Sequence, residues 1–272
     1  MEGKMISKEI LYYICLYKKN LQNNFKIYQE YKLDFFIGLF SIFFQLIIFL
    51  LFFEIYFHKF KAFPNWNKEE LIFMYSLNII VIGIYNMFFQ NMWSIGWFYI
   101  RQGELDYLMV RPLNILFQII CKKFLFENII LIFSGFFFLF YSLCKLKIEI
   151  SFFLVIKIFI ILISGVIIIF SINLFFLSLS FWIDDSTFIA LSIYNLKEYG
   201  RFPIKIFPKI IRYILTFLLP YSFTSYYPSL NFLNKQETRF NYIFFTLLVA
   251  FILLNFSYKF WNIGIKRYSS TN

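Results

Sequence analysis

Long apolar runs dominate the chain, and polar residues collect between them. Five runs, at 35–57, 71–92, 124–143, 158–182 and 242–263, each reach the roughly 20 residues that a helix needs to cross a hydrocarbon core. Backbone groups in that core must bond within their own segment, so each run predicts a membrane-spanning helix. A sixth run, 207–227, carries Lys209 and Arg212 near one end and Pro220 inside it, and predicts a kinked or broken span. The predicted fold is therefore all-α and polytopic, with a six-helix transmembrane domain over 35–263 and a short tail over 264–272. Six crossings place both termini on one side.

Residues 1–34 show a different period. Ile6, Ile10, Ile14, Tyr17, Leu21, Phe25 and Tyr28 recur every three or four positions and share one helical face. Lys8, Lys19 and Lys26 project from roughly the opposite side. This predicts an amphipathic helix in the headgroup layer, with docking on a cytosolic partner as the alternative. No early apolar run with a small-residue cleavage site precedes the first span, so no signal peptide is read.

Composition narrows the classes. Hydrophobic residues reach 61%, against about 45–50% in soluble domains. Charged residues supply only 15%, too few to cover a soluble surface, while 43 Phe and 20 Tyr crowd the chain. A water-soluble enzyme, a disordered tail and a disulfide-rich secreted module are excluded. The net charge of +11 reads as basic loops near anionic headgroups, because no basic motif with nucleic-acid spacing occurs. Lys and Arg number eighteen in 1–34, 93–123, 183–212 and the tail from 259, against eight in the intervening loops. The positive-inside rule then places both termini in the cytoplasm. Trp66, Trp93, Trp97, Trp182 and Trp261 all fall near predicted interfaces, where amphipathic rings are favoured.

Candidate chemistry is sparse. His58 has no carboxylates near it in sequence, and Cys15, Cys121 and Cys144 fall on two sides of the predicted membrane. Neither the G-x-x-x-x-G-K-[ST] phosphate loop nor G-x-S-x-G occurs. No catalytic, cofactor-binding or metal-ligating residue is predicted, and the chain reads as a non-enzyme. Glu127 is the clearest acid within an apolar run and a candidate intramembrane charge. Two readings stay open for it: a structural pair with Lys123, four residues earlier on the same helical face, or proton and substrate handling. Asp184 and Asp185 close the fourth run and are expected to be solvated. Gly38, Gly83, Gly135 and Gly165 lie within spans, where small residues allow close helix approach.

The most informative loop is Ile100-Arg-Gln-Gly-Glu-Leu-Asp-Tyr-Leu-Met-Val-Arg-Pro-Leu113. Gly103 opens a short helix, with Glu104 and Asp106 in its first turn, where acids complement the helix end. Leu105, Leu108 and Met109 form one apolar face. Pro112 disfavours helix at Arg111 and ends the element. A two-turn amphipathic helix is predicted over 103–112, with an apolar patch to bury against a partner.

That loop resembles the permease subunits of type-2 ABC (ATP-binding cassette) exporters, in a bacterial subfamily with the signature R-x-G-E-L-D-x-L-L-x-R-P-L. The match runs through Arg101, Gly103, Glu104, Leu105, Asp106, Leu108, Arg111, Pro112 and Leu113, with Met109 where Leu is common. A second stretch is similar to the same subfamily, through Gly200, Arg201, Pro203 and Pro208, then Pro220 in the Leu215–Tyr221 run, and Tyr227 with Pro228. The resemblance implies a coupling helix at 103–112 that seats on a separate ATPase, and an N-terminal interfacial elbow. It implies two ATPase subunits carrying ATP-Mg, a second permease (identical or sibling), membrane lipids around the bundle, and a bacterial plasma membrane. This chain itself would bind no cofactor. The alternatives are an ion-coupled secondary transporter or channel working through Glu127, or a membrane anchor without transport.

Overall fold

The computed structural model describes residues 2–59, 65–183, 185–235 and 241–269. The side chains of Ile6, Lys8, Ile10 and His58, and the whole of Asp184, lie outside the described residues. The described residues contain no strand; the protein is an all-α polytopic membrane protein.

Eleven α-helices are described: α1 Glu2–Glu30, α2 Lys32–Lys59, α3 Lys68–Phe89, α4 Leu105–Met109, α5 Ile115–Cys121, α6 Ile129–Lys145, α7 Phe152–Ser178, α8 Thr187–Asn195, α9 Lys209–Tyr213, α10 Tyr226–Phe232 and α11 Tyr242–Arg267. Capping residues mark several starts. The Asn67 amide donates to Glu70 Oε2 at 2.7 Å before α3, Ser151 accepts from Leu154 N before α7, and Asn241 accepts from Ile243 N before α11. Four helical runs are long and apolar enough to cross a membrane: Lys68–Arg101, Phe126–Lys145, Phe152–Phe181 and Tyr242–Arg267. A bent pair, Leu11–Glu30 and Lys32–Ile48, meets at 95°. α1 therefore lies across the end of the bundle from which α2 departs.

α3 is the mast. Phe73, Leu77, Ile80, Val81 and Tyr85 on it are buried in the main core that α6 and α7 share, and Leu71 and Met74 are buried against Ile204, Tyr226 and Leu230. A Cβ on Gly83 would stand 2.9 Å from Ile132 Cγ1, one on Gly165 2.9 Å from Val81 Cγ2, and one on Gly135 would overlap Ile80. The missing side chains are what let these helices close on one another. α11 covers the other side of α7.

The main departure from the sequence expectation concerns 183–227. The stretch 187–206, expected in a loop at the α1 end, runs antiparallel along α3. Thr187 faces Gly96, Tyr194 hydrogen-bonds Asn86, Gly200 lies beside Asn78, and Ile204 packs with Leu71 and Met74. The run 207–227, expected as a kinked or broken fifth span, does break at Pro220, but it does not continue as a crossing. It folds as a hairpin at the far end of the bundle: α9 passes into a π turn over Ile214–Leu218, the chain breaks at Leu219 and Pro220, and α10 returns. Thr224 near its tip reaches Asn78 at 3.4 Å and Gly165, while Lys235 after α10 pairs with Glu70 at the start of α3. Two features hid this arrangement. Lys197, Glu198 and Arg201 give 187–206 the look of a loop although they pair with one another, and prolines divide the hairpin into pieces. Of the five cations of 183–212, Lys197 and Arg201 are paired alongside α3, and Lys209 and Arg212 lie with the hairpin at the far end, so none of these four supports the count that placed the termini.

Filling the α3–α6 contact tests this packing. Gly135→Val should lower unfolding stability by about 1–3 kcal/mol, as overpacked cores do, seen as a lower thermal midpoint in detergent. A variant as stable as the parent contradicts the close approach.

Candidate functional site

The signature loop emerges directly from the mast. Beyond α3 the chain continues through a 3-10 turn, Gln90–Trp93, and a π-helical stretch, Ile95–Arg101, then turns sharply at Gly103, whose φ of 77° lies in the left-handed region. Only glycine takes that conformation without strain. Asp106 lies in the first turn of the short helix α4, as the sequence predicts, whereas Glu104 sits just before it at the N-cap position, with no side-chain capping hydrogen bond. The helix is shorter than the expected two turns and ends at Val110, ahead of Arg111 and Pro112.

The apolar face has a different use from the one expected. Leu105 is fully buried and Leu108 is 5% exposed, both within the core that holds Met92, Ile95, Tyr99, Leu116 and Ile119. These leucines anchor α4 to its own bundle and are not offered to a partner. Met109, the third residue of that predicted face, is 38% exposed and joins an outward face of Tyr107, 60% exposed, Val110, 86% exposed, and Arg111, whose guanidinium lies 4.2 Å from the Tyr107 ring centroid. Glu104 and Pro112 are exposed beside them, and Arg101 stacks on Trp97 at 4.7 Å. Asp106 faces Tyr268 beyond α11; burial first, then this carboxylate, raises the phenol pKa.

Residues that sequence reasoning missed hold the loop in place. The Gln118 amide donates to the Leu108 and Leu113 carbonyls, at 3.1 and 3.2 Å. Asn114 is a node: its side chain caps α5 by accepting from Phe117 N, its amide Nδ2 donates to Tyr258 on α11, and its backbone N–H donates to Tyr13 on α1. An asparagine directly before an apolar run was the available signal, since that is a preferred capping position.

α1 packs on the same region. Asn24 Nδ2 donates to the Lys122 carbonyl at 3.3 Å, and Tyr28 donates to the Phe124 carbonyl and, at 2.9 Å, to Glu127 Oε2. Tyr17, Leu21 and Tyr28 are half-buried here, whereas Ile14 and Phe25 from the same predicted face stay exposed. The expected Lys123–Glu127 pair does not form, because residues 123–125 are not helical and 126–128 form a 3-10 turn, which destroys the i, i+4 relation. Glu127 turns instead to Tyr28 and lies against Gly38 on α2.

The second motif lies far from the loop, along α3. Glu198 pairs with Arg201 at 2.7 Å and with buried Lys197 at 3.4 Å, and the Lys197 ammonium also sits 3.4 Å from the Tyr194 ring centroid. A Cβ on Gly200 would stand 2.9 Å from the Tyr221 carbonyl, so only glycine lets the hairpin seat there. Pro203 precedes the 3-10 turn Ile204–Ile206, Pro208 precedes α9, and Pro220 sits at the hairpin break. The structure thus separates the two motifs: one is a surface loop, the other a half-buried ion-pair cluster around Lys197.

The family model described as ABC-2 family transporter protein matches residues 42–272. No curated protein and no solved structure matches the chain.

The packing of α1 on α5 has a chemical readout. Burial pushes the Cys121 thiol up to about 11, and burial followed by Cys121 pushes Tyr17 up to about 12. A raised thiol pKa keeps Cys121 protonated at neutral pH, and the thiolate is the nucleophile. Maleimide should therefore label exposed Cys15 and leave Cys121 unreacted until the chain is denatured. Equal labelling of the two in the native protein contradicts the docking of α1.

Proposed function

This chain belongs to the ABC-2 family of transporter proteins, and from that premise we propose that it is the permease subunit of an ATP-driven exporter in a bacterial plasma membrane. It is a multi-pass membrane component of an ABC transporter, a class that works with an ABC ATPase. In the proposed assembly two ATPase subunits bind ATP-Mg, and a second permease, identical or sibling, completes the translocation path. This chain binds no cofactor itself. Its α1 end, with both termini, faces the cytoplasm.

The observation that carries the reading is the two-sided character of α4. Leu105 and Leu108 fix it inside the bundle core, while Tyr107, Val110 and Arg111 stand clear of this chain. Tyr107 and Arg111 are of the residue types that anchor interfaces, and Val110, 86% exposed beside them, adds apolar surface. Closure of the ATPase pair around nucleotide would displace α4. Its buried leucines would pass that displacement to the core around Ile95 and Tyr99, and Asn114 would pass it to α1 and α11. Alternating access then follows from the different bundle arrangements that each nucleotide state favours.

The ion-coupled alternative needs an ion site at mid-depth. Glu127 lies at the α1 end of α6, with Tyr28 donating to it, and serves that reading poorly. Glu127→Gln is accordingly expected to leave transport ATP-dependent.

Combining Tyr107→Ala with Val110→Asp tests the exporter reading. ATP-driven transport should fall about tenfold or more, the loss of one interface anchor. Co-purification with the ATPase should weaken while the amount of chain in the membrane is unchanged. Unaltered co-purification and transport would refute the coupling role.

A further inference from the structure

A recess of about 800 Å³ opens between α1, the start of α2, the Asn91–Tyr99 stretch and the loop 122–127. Its walls are joined by the Asn24–Lys122 and Tyr28–Glu127 hydrogen bonds, so it is a built feature of the fold. Four charged residues line it: Lys122, Lys123, Asp34 and Glu127. Among the described residues neither lysine forms an ion pair with a carboxylate; Lys122 rests over the Phe98 and Tyr99 rings at 4.8 and 5.2 Å. Phe98, Phe124, Leu125 and Ile27 supply an apolar wall.

Position selects the ligand. α1 lies at 95° to α2, so the recess sits where the spans leave the hydrocarbon. At that depth the ligand at hand is a phospholipid. Charge selects its headgroup, because two cations and two carboxylates make a lining of no net charge. We propose that the recess binds one phospholipid with a zwitterionic, ammonium-bearing headgroup of the phosphatidylethanolamine type. Lys122 and Lys123 hold the phosphate, Asp34 and Glu127 receive the ammonium, and the aromatic wall receives the upper acyl chain. The recess volume falls within the range of small-ligand sites. Because its walls include α1 and the stretch leading into α4, the lipid braces the elbow against the signature loop. The inference rests on the membrane-embedded fold and not on the exporter reading.

Native mass spectrometry of the delipidated full-length chain tests it, with phosphatidylethanolamine, phosphatidylglycerol and chain-free glycerophosphoethanolamine as probes. One phosphatidylethanolamine should bind in preference to phosphatidylglycerol, with far weaker binding of the chain-free headgroup. Lys122→Gln with Lys123→Gln should weaken binding about tenfold, as expected for losing charge-assisted hydrogen bonds to phosphate. Asp34→Asn, at an exposed position, should shift preference toward phosphatidylglycerol. Equal or stronger binding of phosphatidylglycerol by the parent overturns the proposal. So does unchanged selectivity in Asp34→Asn, unchanged affinity in the lysine variant, or chain-free headgroup binding as tight as the lipid. ATP-dependent transport by the same variants is read separately, so a lipid result leaves the exporter reading to its own test.

Discussion

Hydrocarbon cannot solvate a peptide group, and this constraint decides where the chain can be irregular. The regular helices α3, α6, α7 and α11 satisfy their own backbones, and the last three expose apolar side chains that can face lipid. The broken region between α7 and α11 cannot, and it is supplied with partners from within the protein. Ser186 Oγ donates to the Phe176 carbonyl at 2.7 Å, Ser225 Oγ to the Gly200 carbonyl at 2.5 Å, and Thr224 Oγ1 to the Tyr221 carbonyl at 2.7 Å. Each donor is a small hydroxyl side chain placed where helix is interrupted. The ion pairs of Glu198 with Lys197 and Arg201 serve the same end, since a charge without a partner would be costly at that depth.

The same economy of anchoring shapes the signature loop. A lever transmits displacement only if it does not slide on its own mounting. α4 is five residues long, too short to persist as an isolated helix. Its stability comes from Leu105 and Leu108 in the core and from Gln118 beneath its end. Asn114 then ties the mounting to the first and last helices of the chain. Force applied at Tyr107 or Val110 therefore meets a connected solid instead of a flexible loop.

How much of this was legible follows from which signals are local. The long helices were legible because apolar length alone predicts them, and the short helix after Gly103 because Pro112 bounds it, although the left-handed turn at Gly103 itself was not read from the sequence. The period of α1 was legible too, although the sequence does not reveal that Tyr17 and Tyr28 would be half-buried while Phe25 touches Phe126 only by its ring edge and stays exposed. The stretch 187–206 reads as a loop because Lys197, Glu198 and Arg201 pair with one another, a tertiary fact, and composition counts them as solvated. The inward turn of Leu105 and Leu108 was misread for a related reason: an amphipathic face reveals that something is buried, not against what. Lys123 and Glu127 failed as a pair because an apolar run does not disclose a helix break at its edge.

The account stands on Val110 being a contact to an ATP-hydrolysing subunit while the leucines beside it belong to the bundle. A photo-crosslinking residue at position 110, irradiated in native membranes, measures this directly, with position 153 at the far end of α7 as control. The account predicts an adduct with the ATPase from position 110 and none from 153. An adduct from 153, or none with an ATPase from 110, would contradict it.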